Sequence, residues 1–395
     1  MNSTLFKLHP LKKTARIKSS FIRYILRSNP EKHLVNISFY RYSLLSRGGD
    51  KMVVEYANYL AAEGHNVTLW YSTLNTVFRL HPQIRLTKIP IPTKLGAIIY
   101  ASLKKFQSNA IVVDIIPLAL AVSPRNRSRL IYFAQDYDES YYRNPLEKFL
   151  IKSLYFFCLR LIRVKTIAVS GQLAQVLREK YEANTKTVEN GIDLRIFYPD
   201  PDEELTAIKE NKKAVLILSR NEYRKGFDIA VKVINKLNDE WMDKIEIWAC
   251  GEELKENTLK AKVRNFGWVG EDKLRKVTSS ADVLLYPTRH EGFPLFPLEA
   301  MACGCPVITT KAVTYAKDGH NALVTEIEDI DSLKKKLETI FRDDVLRERL
   351  QKNGFETSRE HNLKESQTKF EKAVTDILHL NSNLPHNKTT SVSSE

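Results

Sequence analysis

The 395-residue sequence predicts an α/β chain of two Rossmann-like halves, each on a parallel sheet, facing each other across a cleft. Three observations carry this reading. Short apolar runs of strand length alternate with helical stretches through residues 34–190. The alternation breaks over "NGIDLRIFYPDPDEELTAIKENKK" (190–213), where prolines and charges crowd together. It then restarts and continues to about residue 345. At this length a chain exceeds one ordinary core, so two domains are expected on size alone.

In chain order, "HLVNISFY" (33–40) reads as a first buried strand and "SRGGDK" as a glycine turn. "MVVEYANYLAAEGHNVTLWY" reads as a helix, a stop at Gly64 and a second strand. Further strands are expected at 110–116, 129–134 and 166–170. "FLIKSLYFFCLRLIRV" (149–164) is apolar all round apart from Lys152, Arg160 and Arg163, and is expected to be a buried helix with a basic edge. The linker is placed at 191–213, between a first half at 34–190 and a second at 214–345. In the second half, strands are expected at 214–219, 244–251, 263–270, 281–287 and 305–310, with a helix from about Gly226. A helical segment at 346–380 and a disordered tail at 381–395 complete the chain.

Charge is unevenly spread. The net charge is +14, and residues 1–33 hold eight Lys or Arg against Glu31 alone. Wound as a helix, residues 11–27 separate Leu11, Ile17, Phe21, Ile22, Tyr24 and Ile25 from a basic side. Such a leader is expected to lie on an anionic membrane surface, with the protein cytoplasmic and peripheral on the inner face; a disordered basic leader and a cleaved transit peptide are the alternatives. A nucleic-acid partner is not expected, because no recognition module with stacking aromatics is present. Four scattered cysteines offer neither a disulfide framework nor a zinc site.

The chemistry sits where strands of the second half end. "AVLILS" ends at Ser219, and "RNEYRKGFD" puts Arg220 and Lys225 on the loop at its carboxyl end. Two cations beside Gly226 suit a diphosphate, although a solvated basic turn would carry the same residues. "ADVLLYP" likewise leads into "EGFPLFPLEAMACG". Glu291 then lies on a loop, and Glu299 lies in the first turns of a helix begun around Pro294 and Pro297. Two acids at that spacing suit the hydroxyls of two sugars flanking a phosphate. A dipole-compensating Glu299 and an exposed loop acid at Glu291 are the plainer readings.

"EGFPLFPLEAMACGCPVI" resembles the E-x7-E motif of family 4 glycosyltransferases, retaining enzymes of the GT-B fold. "SRNEYRKGFDIAV", "ENGIDLRIFYP" and "RGGDKMVVEYANYLAAEGHNVTLW" resemble the family's diphosphate-binding turn, linker and amino-terminal Gly-Gly loop, in the family's order. The resemblance implies transfer of a hexose-type sugar from a nucleotide-diphosphate sugar to a glycan or lipid-linked acceptor. Such transfer serves cell-surface polysaccharide or glycolipid synthesis, with neither cofactor nor metal ion. It assigns Arg220, Lys225 and Glu291 to catalysis, and Gly48, Gly49, Phe293, Leu295 and Glu299 with them to the donor. Phe266 to Val269 would lie beside the base. Asp136 and Gln135 face the acceptor, and Gln135 stands where many relatives carry a histidine. A binding protein of the same fold and a nucleotide-sugar epimerase are the alternatives. A metal-dependent enzyme using "DYD" (136–138) is a further one.

Overall fold

In the computed structural model, residues 34–45, 47–255 and 257–382 are described. The basic leader (1–33) and the end of the expected tail (383–395) lie outside them. Strands β1 (Asn36–Tyr40), β2 (Asn66–Tyr71), β3 (Arg85–Lys88), β4 (Ala110–Val113), β5 (Leu130–Ala134), β6 (Lys165–Ala168) and β7 (Thr185–Thr187) form one sheet. They run parallel in the order β3-β2-β1-β4-β5-β6-β7. Every position of β4 and β5 is buried, as a parallel strand covered on both faces requires. The intervening helices are α1 (Gly48–Ala62), α2 (Lys94–Leu103), α3 (Ile116–Asn126), α4 (Pro145–Tyr155) and α5 (Gly171–Tyr181). Thr93, Asn144 and Ser170 cap α2, α4 and α5 by accepting backbone N–H groups of their first turns.

Two expectations are corrected here. The strand expected over 110–116 ends at Val113. Asp114 turns out of the sheet to pair with Arg41, and Pro117 stands in the first turn of α3. The segment expected to be a buried helix is only half buried. It forms α4 and then a π-helical continuation, Phe156–Leu161. Ile151, Tyr155, Cys158 and Leu159 face the protein, whereas Phe149, Leu150, Phe157 and Leu161 are exposed. The helix lies on the outside of its layer, so only one of its two apolar sides meets the fold. No described helix is long and apolar enough to cross a membrane.

The second sheet joins β8 (Lys213–Ser219), β9 (Ile245–Gly251), β10 (Lys262–Gly267), β11 (Val283–Tyr286), β12 (Val307–Thr310) and β13 (Leu323–Thr325). Its parallel order is β10-β9-β8-β11-β12-β13. Helices α6 (Phe227–Asn235), α7 (Glu271–Ser280), α8 (Phe296–Ala302) and α9 (Ile330–Arg342) accompany it. Leu333, Leu337, Ile340 and Phe341 recur at helical spacing and seal α9 onto the sheet core around Val215, Ile247 and Leu285.

Helices α10 (Asp344–Glu360) and α11 (Leu363–Ser382) close the described chain, the last running two residues past the expected boundary. α11 returns to the first half. Phe370 stacks on Tyr56 at 4.2 Å and meets Phe133 edge-on at 5.4 Å. Asp376 accepts from Lys186 at 2.6 Å, and Ile192 of the expected linker bridges to Asn362. The two stretches that connect the halves thus run side by side.

Candidate active site

Contacts between the halves bring the carboxyl ends of both sheets against one another: Gly292 meets Gln135, and Lys51 donates to Glu299. From the second half, β8 delivers the loop 220–226 and β11 delivers the loop 287–295. Gly226 joins them. It has φ of 70°, and a Cβ there would stand 1.9 Å from the Pro287 carbonyl oxygen. Thr288 donates to the Arg224 carbonyl at 2.8 Å, fixing the two loops together.

Glu291 is the centre of this junction. Lys225 Nζ donates to both of its carboxylate oxygens, at 2.8 and 2.9 Å. Tyr286 donates at 2.5 Å, Thr288 at 3.1 Å and Arg224 at 3.3 Å. Burial opposes ionisation of Glu291, but the Lys225 and Arg224 charges outweigh it and hold the carboxyl below the usual range. Glu291 is therefore no exposed loop acid. Glu299 is also buried, and its partner is Lys51 at 2.9 Å, a cation of α1 in the opposite half. Lys51 also meets Glu271 at 2.6 Å. The helix carrying Glu299 begins at Phe296, has Pro297 in its first turn and is short.

The facing wall belongs to the first half. Asp136, just past β5, accepts from Tyr141 at 2.9 Å and lies 2.7 Å from His290 Nε2 and 3.5 Å from Arg224. Burial disfavours its charge, yet His290 and Arg224 pull its carboxyl below the ordinary value. Gln135 donates to Asp114 at 2.9 Å, and Asp114 in turn pairs with Arg41 at 2.8 Å. Gly292 meets this wall so closely that a Cβ would lie 2.0 Å from the Gln135 carbonyl oxygen. Gly48 and Gly49 open α1, beside Leu295 and Gln135 respectively.

Lys225, Glu291, Asp136, Gln135, Gly49, Gly48, Leu295 and Glu299 therefore line one seam. Arg220 lies on the same loop as Lys225, paired with Glu222. Phe293 is turned away, its ring 5.2 Å from Tyr315 and 5.3 Å from His361. Phe266 packs on Trp248 at 5.5 Å, and Trp268 is exposed. Sequence reasoning missed four residues: Arg224, Lys51, His290 and Tyr286. Arg224 and His290 adjoin assigned residues, and that adjacency was the available signal. Lys51 and Tyr286 carried none, since each looks like an ordinary helix or strand residue.

Comparison with known proteins identifies the family and the fold. The family described as Glycosyltransferase Family 4 matches residues 46–196, and Glycosyl transferases group 1 matches residues 200–357. A lipopolysaccharide core biosynthesis glycosyltransferase of Rhizobium meliloti is 29% identical over 155 residues, 36% of this chain and 44% of the relative, under half its length. The GalNAc-α-(1→4)-GalNAc-α-(1→3)-diNAcBac-PP-undecaprenol α-1,4-N-acetyl-D-galactosaminyltransferase of Campylobacter jejuni is 20% identical over 367 residues, 87% of this chain and 99% of the relative. An Anabaena protein solved in complex with UDP-glucose superimposes with a TM-score of 0.69 at 14% identity, over 87% of this chain and 100% of that one.

The "DYD" carboxylates differ in state. Burial, followed by the charges of Asp136 and Asp114, pushes the Asp138 carboxyl up to about 7 from its ordinary 3.8. The fold thus favours neutral Asp138, and its ionisation destabilises the protein as pH rises from about 4 to about 7. Asp138→Asn should therefore raise the melting temperature at pH 8, with the gain shrinking on acidification and vanishing below about pH 4. Melting curves across that range read this directly, and an equal gain at every pH would refute it.

Proposed function

Since the chain belongs to the family 4, group 1 glycosyltransferases of the GT-B fold, we propose that it moves a hexose-type sugar from a nucleotide-diphosphate sugar to a glycan or lipid-linked acceptor. Transfer retains anomeric configuration and uses no metal ion, and the protein works peripherally at the cytoplasmic membrane face. One observation carries the reading: a buried cation–carboxylate cluster, Lys225, Arg224 and Glu291, at the carboxyl end of one sheet, tied directly to Asp136 of the other. The donor described for the Anabaena protein and the lipid-linked acceptor named for the Campylobacter relative lend support to both substrate classes.

Each residue then has a task. Departure of a nucleoside diphosphate leaves negative charge on the phosphate, which preorganised cations stabilise best in a site closed to water. Arg220 and Lys225 supply that charge, and the short helix at Phe296 adds less than they do. Glu299 accepts from the ribose once Lys51 releases it, and Glu291 accepts from sugar hydroxyls. The acceptor hydroxyl enters beside Asp136. There His290 brings an imidazole from the opposite half to the side on which Gln135 offers none. The departing phosphate takes the acceptor proton, so no protein base is required.

Charge-assisted hydrogen bonds contribute roughly 1.5–3 kcal/mol each. Arg220→Ala should accordingly lose at least about tenfold in kcat/KM for the donor, with unchanged melting temperature. Lys225→Ala should lose as much and also melt earlier, since it strands a buried carboxylate. The paired Lys225→Met/Glu291→Gln variant should regain stability and stay inactive. Near-wild-type turnover in any of the three refutes the donor assignment.

His290→Gln is expected to lower the transfer rate about tenfold while leaving donor affinity unchanged, in line with loss of one charged contact to Asp136. Equal transfer by the variant removes His290 from the acceptor side. Exhaustive chelation with EDTA should leave transfer within a few-fold of its starting rate. Abolition by EDTA with rescue by manganese would instead direct attention to Asp136 and Asp138.

A further inference from the structure

Two helices on one side of the first sheet carry apolar rows that nothing in the described chain covers. Right-handed crossovers from β3 to β4, β4 to β5 and β5 to β6 put α2, α3 and α4 on the same face, and α3 packs against both neighbours. On α2, Leu95, Ile99 and Leu103 recur every four residues along the outer side, Leu95 and Leu103 being 67% and 63% exposed. On α4 and its π-helical continuation, Leu146, Phe149, Leu150, Phe157 and Leu161 form a second outer row, with Leu146 and Phe149 at 64% and 65%. Their opposite sides are buried in the usual way. A monomer rarely leaves exposed leucines and phenylalanines in rows on two helices of one face without a use for them.

The charges around these rows are predominantly basic. Residues 143–163 contain Arg143, Lys148, Lys152, Arg160 and Arg163 against Glu147 alone, and residues 91–105 contain Lys94, Lys104 and Lys105 with no acid. Lys152 and Arg160 are partly engaged by Glu139 and Glu182. The balance nevertheless stays basic. Long basic side chains at the margins of an apolar helix face can lay their stems along it and raise their charged ends toward phosphate. A protein partner with an apolar groove would satisfy the leucines and phenylalanines but gives no reason for the basic excess at the rim. An anionic lipid surface matches both.

We propose that this α2–α4 face is a membrane-docking surface that seats the first half on an anionic bilayer. Leu146, Phe149, Leu150, Leu95 and Ile99 enter the headgroup–acyl boundary, and the lysines and arginines meet lipid phosphate. The position is apt for a lipid-linked acceptor, because only residues 137–144 separate Asp136 from the start of α4. That link to substrate rests on the proposed transferase function. The docking itself does not, and its test reads no activity.

All four cysteines are buried, so a single new surface cysteine can be labelled selectively. Full-length Leu150→Cys and Ile99→Cys, and Lys335→Cys on the distant α9 as control, would each carry an environment-sensitive nitrobenzoxadiazole probe. They would be mixed with phosphatidylglycerol-containing or pure phosphatidylcholine vesicles. Expected are brighter, blue-shifted emission at 150 and 99 with the anionic vesicles only, and no change at 335. The unlabelled Phe149→Glu/Leu150→Glu variant should lose at least about tenfold in vesicle affinity at an unchanged melting temperature. Failure of the full chain to sediment with anionic vesicles overturns the proposal. So does sedimentation with both probes silent, since binding would then lie elsewhere. A probe response that follows protein concentration without vesicles, accompanied by dimer formation in light scattering, also overturns it by assigning the face to a second copy.

Discussion

A carboxylate enclosed by protein is tolerable only if its charge is answered, and the architecture of the cleft depends on how Glu291 meets that requirement. Lys225, Arg224, Tyr286 and Thr288 surround it, drawn from β11 and from two loops that would otherwise be independent. Desolvation of such a pair is costly, so it serves geometry more than stability. Removing any one partner leaves the others aimed at an unbalanced charge. The cluster holds the two loops at a fixed separation, and Arg224 extends the hold to Asp136 across the cleft.

The same economy appears at Glu299. Its salt bridge to Lys51 joins α8 of one half to α1 of the other, in the space where a ribose is proposed to bind. Both acids of the E-x7-E motif are thus engaged by cations, one within its own half and one from across the seam. A ligand that offers hydroxyls to these carboxylates must displace or rearrange such contacts. Binding and the relative position of the halves are therefore coupled through ordinary ion pairing.

Much of this was legible in the sequence. Periodicity located the sheets because parallel strands buried on both faces tend to be apolar throughout, as β4 and β5 are. Arg220, Lys225 and Glu291 were legible as charges on loops leaving strand ends, and Glu299 as an acid early in the helix that follows, which is where an α/β sheet holds its ligand. Lys51 was not, because a lysine one turn into a helix signals nothing until the opposing half supplies Glu299. His290 had only its adjacency to Glu291 as a signal, since its partner Asp136 lies 154 positions away. The burial of α4 was misjudged because periodicity reports that a side is apolar and not what meets it. The return of α11 to the first half was unreadable, since Phe370 and Val374 mark an apolar stripe but name no destination.

That return has a bearing on how the molecule is made. Synthesis proceeds from the amino end, and a domain ordinarily folds once its own residues are available. Here the aromatic stack of Tyr56 and Phe133 lacks its third member until Phe370 has been added, and Lys186 lacks Asp376 until later still. The first half thus waits with an unfinished apolar surface while nearly two hundred further residues emerge. For that interval a nascent chain is a natural client for chaperones, and a ribosome stalled before residue 363 would release a protein whose earliest-made half is the incomplete one.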